Sequence, residues 1–266
     1  VGASDNGESG TTDNATGVYL DNDGAGTPKT VSITNGWFNS NTNNGLYVTS
    51  LGAINLTNVY AESNLGAGAY LENNAAATPQ LVKISGGTFS NNEGSRGLYI
   101  SSKGAVTVTN AQAHDNSNGN GVEIYHNDGN VVGNVSVTCS SGTCAFNNNF
   151  AYGLAIYSKG NITLGQLDAQ NNGSGAIVDN NDGPSSSPKT VSISNCNFSN
   201  SNSTYGLSVI SHGAISLTNV DAGRNATYGV TLNNNTSTTG AGVTLTGTGD
   251  WDWYGENGTF GLDILT

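Results

Sequence analysis

Four tyrosines, Tyr19, Tyr47, Tyr70 and Tyr99, lie 28, 23 and 29 residues apart in the 266-residue chain. A row of such rings offers apolar faces with polar tips, on which sugar rings or a protein partner can stack. The same row can also serve only to stiffen an exposed sheet. Asp21 and Asp23, and again Asp179 and Asp182, stand in Asx-Gly turns whose carboxylates and carbonyls suit Ca²⁺. These loops lack the later bidentate Glu of a full calcium loop, and Asn, Asp and Gly are also ordinary turn residues. No cofactor is therefore expected, with Ca²⁺ at those four aspartates the one candidate. The best acidic pair for general acid–base work is Asp168 and Asp221. Histidines and arginines are few: His114, His126, His212, Arg96 and Arg224.

Composition limits what these residues can serve. Charged residues make up 10% of the chain, against roughly 25% in an average globular protein, while glycine reaches 38. The net charge of -12 repels phosphate backbones and removes nucleic acid from the expected partners. No apolar run approaches the roughly 18 residues of a membrane span, so membrane insertion is not expected. Low charge with 35% hydrophobic residues also argues against disorder. The surface must consist of Asn, Ser, Thr and Gly, which suits an extracellular, secreted or cell-surface setting. The chain begins at Val1 and contains no Met, and so reads as a processed or excised segment. Three cysteines make no disulfide framework. Cys139 and Cys144 are close enough for a local disulfide, and Cys196 reads as a small buried hydrophobe.

What must position the candidate residues is a repeat. The pattern Gly, apolar, any, apolar starts at Gly17, Gly45, Gly68, Gly97, Gly121, Gly153, Gly175, Gly206, Gly229 and Gly261. Its spacings are 28, 23, 29, 24, 32, 22, 31, 23 and 32 residues, long and short in alternation. Each unit carries a second strand with period-two apolar residues, beginning with Val31 and Ile33, Ile54 and Leu56, Val82 and Ile84. In a third segment Phe38, Phe89, Phe146 and Phe198 of the long units alternate with Ala61, Ala113, Ala169 and Ala222 of the short ones. Large against small in successive layers fills a stacked core without voids. Asn recurs three residues later, at Asn41, Asn64, Asn92, Asn116, Asn149, Asn172 and Asn225, with Ser201 breaking the column. Stacked amides can hydrogen-bond along the axis, as in cross-β ladders.

Units of this size with three short strands cannot bury a core alone and must coil and stack. They resemble the right-handed parallel β-helix repeat of the pectate-lyase-like superfamily, over residues 17–266. The expected fold is an all-β solenoid of about nine to ten coils, long and short in alternation. Residues 17–266 form one domain, and the polar segment 1–16 completes or caps a coil. Short units turn tightly through Ser50–Gly52, Ser102–Gly104, Ser158–Gly160 and Ser211–Gly213, whereas long units insert loops there.

The resemblance implies polysaccharide cleavage as the enzymatic hypothesis, since such enzymes carry clustered Asp with His and Arg/Lys, or Ca²⁺-binding acids with a basic residue. This chain has no adjacent Asp pair, and Asp168 and Asp221 fall two coils apart. That is about 9.6 Å, the wide limit for an inverting pair. Catalysis is not expected. The outward second-strand columns, Ser32 to Thr244 and Thr34 to Thr246, look like the hydroxyl faces of some ice-binding solenoids, interrupted by Asn55, Lys83 and Gly165. Cys144 and Cys196 occupy equivalent positions two coils apart, too far to bridge.

The two ends suggest a further role. Residues 261–266 open a new coil, and six residues there plus sixteen before Gly17 equal one short unit of 22. Thr266 followed by Val1-Gly2-Ala3 resembles Ser211 followed by His212-Gly213-Ala214. The expectation is a structural or adhesive solenoid that stacks head to tail on itself into a filament, with Val1, Gly2, Ala3, Gly261, Leu262, Ile264, Leu265 and Thr266 at the junction, or that forms part of a longer surface solenoid. Surface glycans are the other expected partner, through Tyr19, Tyr47, Tyr70 and Tyr99.

Overall fold

The computed structural model describes residues 1–7, 15–24, 27–126, 133–140, 144–181, 187–234, 241–247 and 254–266. They form a parallel β-solenoid of two sheets, with no helix among the described residues. The first sheet has ten strands, stacked in chain order: Val18–Asn22, Leu46–Ser50, Ala69–Glu72, Arg96–Ser101, Asn120–His126, Tyr152–Ser158, Ser174–Asp179, Tyr205–Ile210, Tyr228–Asn233 and Phe260–Leu265. The second has eleven: Val31–Trp37, Ile54–Tyr60, Val82–Thr88, Val106–Thr109, Val135–Thr138, Ile162–Gly165, Val191–Asn197, Ile215–Asp221 and Val243–Thr246, with short Cys144–Ala145 and Leu167–Asp168 beyond a bend.

The solenoid makes about eight turns, slightly fewer than the nine to ten expected. Counting glycine motifs also counts incomplete coils. Phe260–Leu265 extends the first sheet with no later strand in the second.

Each expected column forms in register. Val31 pairs with Ile54, Ile54 with Val82 and Val82 with Val106, and the inward residues beside them are buried. Phe38, Phe89, Phe146 and Phe198 are fully buried, as are Ala61, Ala113, Ala169 and Ala222. Burying each Phe stabilises the stack by about 1.5–3 kcal/mol. Between the second strand and the third segment the chain bends at Asn35, Asn58, Asn110, Asn195 and Asn219, all with φ between 50° and 54°. Asn tolerates this left-handed conformation better than most residues, which explains its recurrence there.

The Asn column is a hydrogen-bonded ladder. Asn64 donates its side-chain amide to Asn92 Oδ1 at 3.0 Å and to the Phe38 carbonyl at 3.0 Å, while its backbone N–H also reaches Asn92 Oδ1 at 3.0 Å. The same pattern runs through Asn41, Asn92, Asn116 and Asn149. The ladder explains the glycine motif. A Cβ on Gly97 would stand 2.7 Å from the Asn116 amide and 2.7 Å from the Gly121 carbonyl of the next coil, so only glycine fits.

At the N-terminus, Gly2 bridges to Trp37 and the Ala3 N–H donates to the Trp37 carbonyl at 2.9 Å. Ala3 packs on the core in line with Phe38, and Asn6 Nδ2 donates to Asn41 Oδ1 at 2.7 Å. Residues 1–7 therefore continue the Ala and Asn columns as a third segment. Following the pairings along the sheet, Val1-Gly2-Ala3 matches Val220-Asp221-Ala222. This corrects the expected match to His212-Gly213-Ala214. The reason is the anchor: Ala3 and Asn6 reproduce the Ala-to-Asn spacing of three, which outweighs the likeness of Gly2-Ala3 to Gly213-Ala214.

Candidate functional site

The four tyrosines stand side by side on the outer face of the first sheet, in consecutive strands with Tyr19 opposite Tyr47 and Tyr70 opposite Tyr99. Ring centroids are 5.2 Å apart for Tyr19–Tyr47, 4.8 Å for Tyr47–Tyr70 and 4.4 Å for Tyr70–Tyr99. At these separations the faces of Tyr47 and Tyr70 cover each other and their neighbours. Only Tyr19, 60% exposed, keeps an outer face for a ligand. The far end is closed by Arg96, whose guanidinium lies 4.7 Å from the Tyr99 ring centroid and donates to Glu123 at 2.7 and 3.2 Å. Tyr47 donates its hydroxyl to Glu72 at 3.0 Å; burial, with the Glu72 carboxylate, pushes its pKa up to about 12.

The calcium candidates serve as turn residues. Asp21 Oδ1 accepts the Asp23 N–H at 3.0 Å, and Asp179 Oδ1 accepts the Asn181 N–H at 2.8 Å. Partial burial, then the Asp21 charge, raises the Asp23 pKa above its ordinary value. Asp182 lies outside the described residues. Among the described residues no three His, Cys, Asp or Glu side chains gather as a metal site.

Asp168 and Asp221 take equivalent positions two strands apart, with Asn197 paired between them. Asp221 Oδ1 accepts from Ser199 Oγ at 2.9 Å and from the Gly223 N–H at 3.2 Å, so it holds a turn. Three of the expected histidines and arginines are engaged or buried elsewhere. His114 meets Asp115 at 2.6 Å, Arg224 meets Glu256 at 2.9 Å, and His126 is buried. Cys139 and Cys144 form a disulfide with Cα atoms 5.7 Å apart. Cys196 is buried, and desolvation pushes its thiol up to about 12.

The two hydroxyl columns on the second sheet are also in register, Ser32 opposite Asn55 and Thr34 opposite Thr57 at one end, Ser216 opposite Thr244 and Thr218 opposite Thr246 at the other. Gly165 leaves a gap beside Thr138 and Ser194.

The tight turns expected of the short coils belong to a further column. Ser50, Ser102, Ser158 and Ser211 accept the N–H of the glycine two residues on, at 2.9 to 3.1 Å, which closes each short turn. In the long coils Asn22, Asn73, Asn180 and Asn234 replace them and donate their amides across the loop base to Lys29, Gln80, Lys189 and Ala241 carbonyls at 2.6 to 3.0 Å. His126 takes this position in the middle long coil, with Nδ1 3.1 Å from Ser158 Oγ. The Ser-to-Gly turns are those expected of the short units, whereas the Asn and His members emerge only from the strand register, with Asn22 opposite Ser50 and His126 opposite Ser158.

At the C-terminal end Val243, Leu245 and Ile264 line a cavity of about 590 Å³ with Thr266. Leu245, Ile264 and Leu265 are 39%, 39% and 50% exposed, while Leu262 packs on the core. Among the described residues no helix is long and apolar enough to cross a membrane. No protein-family model, curated protein or solved structure matches the chain.

Proposed function

We propose that the chain is part of an extracellular structural and adhesive β-solenoid, a stiff rod whose C-terminal face receives a further coil of the same kind. One observation carries this reading. The apolar end around Val243, Leu245 and Ile264 lies beside the outer edge of Phe260–Leu265, which pairs with no further strand among the described residues. Exposed core and an open strand edge together suit another β-coil. Continuing polypeptide or a second copy can supply it.

The N-terminal register bears on which. Joining one copy's Phe260–Leu265 to another copy's residues 1–7 gives a coil with a first-sheet strand and a third segment. It lacks a second-sheet strand beside Val243–Thr246. Head-to-tail stacking in that register leaves the second sheet one strand short, so a continuing solenoid satisfies the edge better. The test is light scattering across concentration on residues 1–266 and on the Leu245→Asp, Ile264→Asp double variant. Association that the double variant suppresses supports the end as a contact. Identical monomeric behaviour of both at every concentration rejects a second copy as the occupant of this end.

A second reading rests on the registered hydroxyl columns of the second sheet, which suit ordered water or an ice surface. Thermal hysteresis lost in Thr109→Lys supports it, and none in the parent chain removes it.

A further inference from the structure

We propose that the groove around Phe150 binds a neutral oligosaccharide. This goes beyond the rod reading and does not depend on it. Phe150 is 71% exposed, more than any other aromatic among the described residues. It follows the ladder residue Asn149, and its N–H donates to the Asn116 carbonyl at 3.0 Å, so its backbone is fixed. The same position is Ser117 in the preceding coil and Gly173 in the next. A short side chain on one side and none on the other leave the ring without an aromatic neighbour, whereas Tyr47 and Tyr70 spend their faces on each other.

Around the ring, Ser117, Asn148, Asn171, Asn202 and Ser203 line a groove of about 470 Å³. That lies within the roughly 300–1,000 Å³ of small-molecule sites. No charged residue lines it, although the chain carries a net charge of -12. These five polar side chains make no hydrogen bond to other described residues, so their amides and hydroxyls are available. Asn148 and Asn171 stand at left-handed bends, φ 57° and 56°, and their N–H groups donate to the Gln170 and Ser199 carbonyls, which fixes their backbone.

An exposed ring flanked by uncharged groups that both donate and accept selects one chemistry. The occupant needs an apolar C–H face for the ring and many hydroxyls for the amides. It must bring no charge, since no counter-charge lines the groove. A pyranose chain meets all three demands; an acidic glycan does not.

The test is a glycan microarray spanning neutral and acidic oligosaccharides, probed with the parent chain, Phe150→Ala and Phe150→Trp. Titration calorimetry follows on the best neutral oligosaccharide. The expected result is binding to a neutral class, weakened about tenfold or more by Phe150→Ala and kept by Phe150→Trp. Phe150 is exposed, so the unfolding midpoint should not move, which separates lost binding from lost fold. No neutral glycan bound, binding confined to acidic glycans, or full affinity in Phe150→Ala would each overturn the proposal.

Discussion

Asn116 donates its side-chain amide to Asn149 Oδ1 at 2.8 Å, across 33 residues of sequence and one coil of the rod. The same Oδ1 accepts the Asn116 backbone N–H at 3.1 Å. The contact is fully enclosed, and it ties successive coils together at one corner.

Asn116→Ala keeps the backbone bond to Asn149 but removes the side-chain bonds to Asn149 Oδ1 and the Phe89 carbonyl, and it takes the acceptor from the Asn92 N–H and from one hydrogen of the Asn92 amide. Each buried unsatisfied group costs about 1–3 kcal/mol. Urea denaturation should show a loss on the order of 3 kcal/mol or more. A loss below about 1 kcal/mol would mean that the ladder adds little to stability.

Ser201 is where the ladder fails. Its Oγ is buried with no hydrogen-bond partner, and Asn172 donates to Phe146 with no ladder amide beyond it. Ser201→Asn should rejoin Asn172 to Asn225 and stabilise the chain by about 1 kcal/mol, the usual net value of a made hydrogen bond. A lower unfolding midpoint would show that the site cannot take the larger side chain.

How legible was this in the sequence? Gly97, Phe89 and Asn116 each mark one place in the coil, and period and chemistry together located all three columns. The reason is that stacking imposes one residue type on one place. Function was less legible because surface columns carry no such constraint. Tyr47 and Tyr70 looked like a ligand strip, yet ring spacing of 4.8 Å closes their faces, a distance no spacing in sequence reveals. Phe150 has no counterpart in any other coil, so the repeat gives it no mark. The likeness of Gly2-Ala3 to Gly213-Ala214 misled for the opposite reason: short dipeptides recur by chance in a chain this rich in glycine.

His126 should make stability depend on pH. Burial holds its pKa below the ordinary histidine value, the Lys159 charge adds to this, and the Gly104 and Lys103 backbone opposes it. The unfolded state then binds a proton that the folded state refuses. The stabilisation is complete above the ordinary value of 6.5 and declines as pH falls below it. Unfolding midpoints measured from pH 7.5 to 5 should fall in the parent chain and fall less in His126→Asn, which restores the Asn of the other long coils. Identical profiles would show that His126 does not govern the response.

Tyr70 is enclosed by two rings and Tyr19 touches one. Tyr70→Ala should cost about 1–3 kcal/mol from two lost ring pairs, and Tyr19→Ala about half of that. Equal losses in denaturant titrations would indicate that stacking is not what the column contributes.

The central claim is that the rod is a segment of a longer β-coil stack, and direct imaging tests it. Electron microscopy of the native material should show rods longer than the roughly 38 Å that about eight turns span at 4.8 Å per coil. Their axial density should repeat at that coil spacing. Isolated particles no longer than the eight-turn rod, unchanged with concentration, would contradict the account.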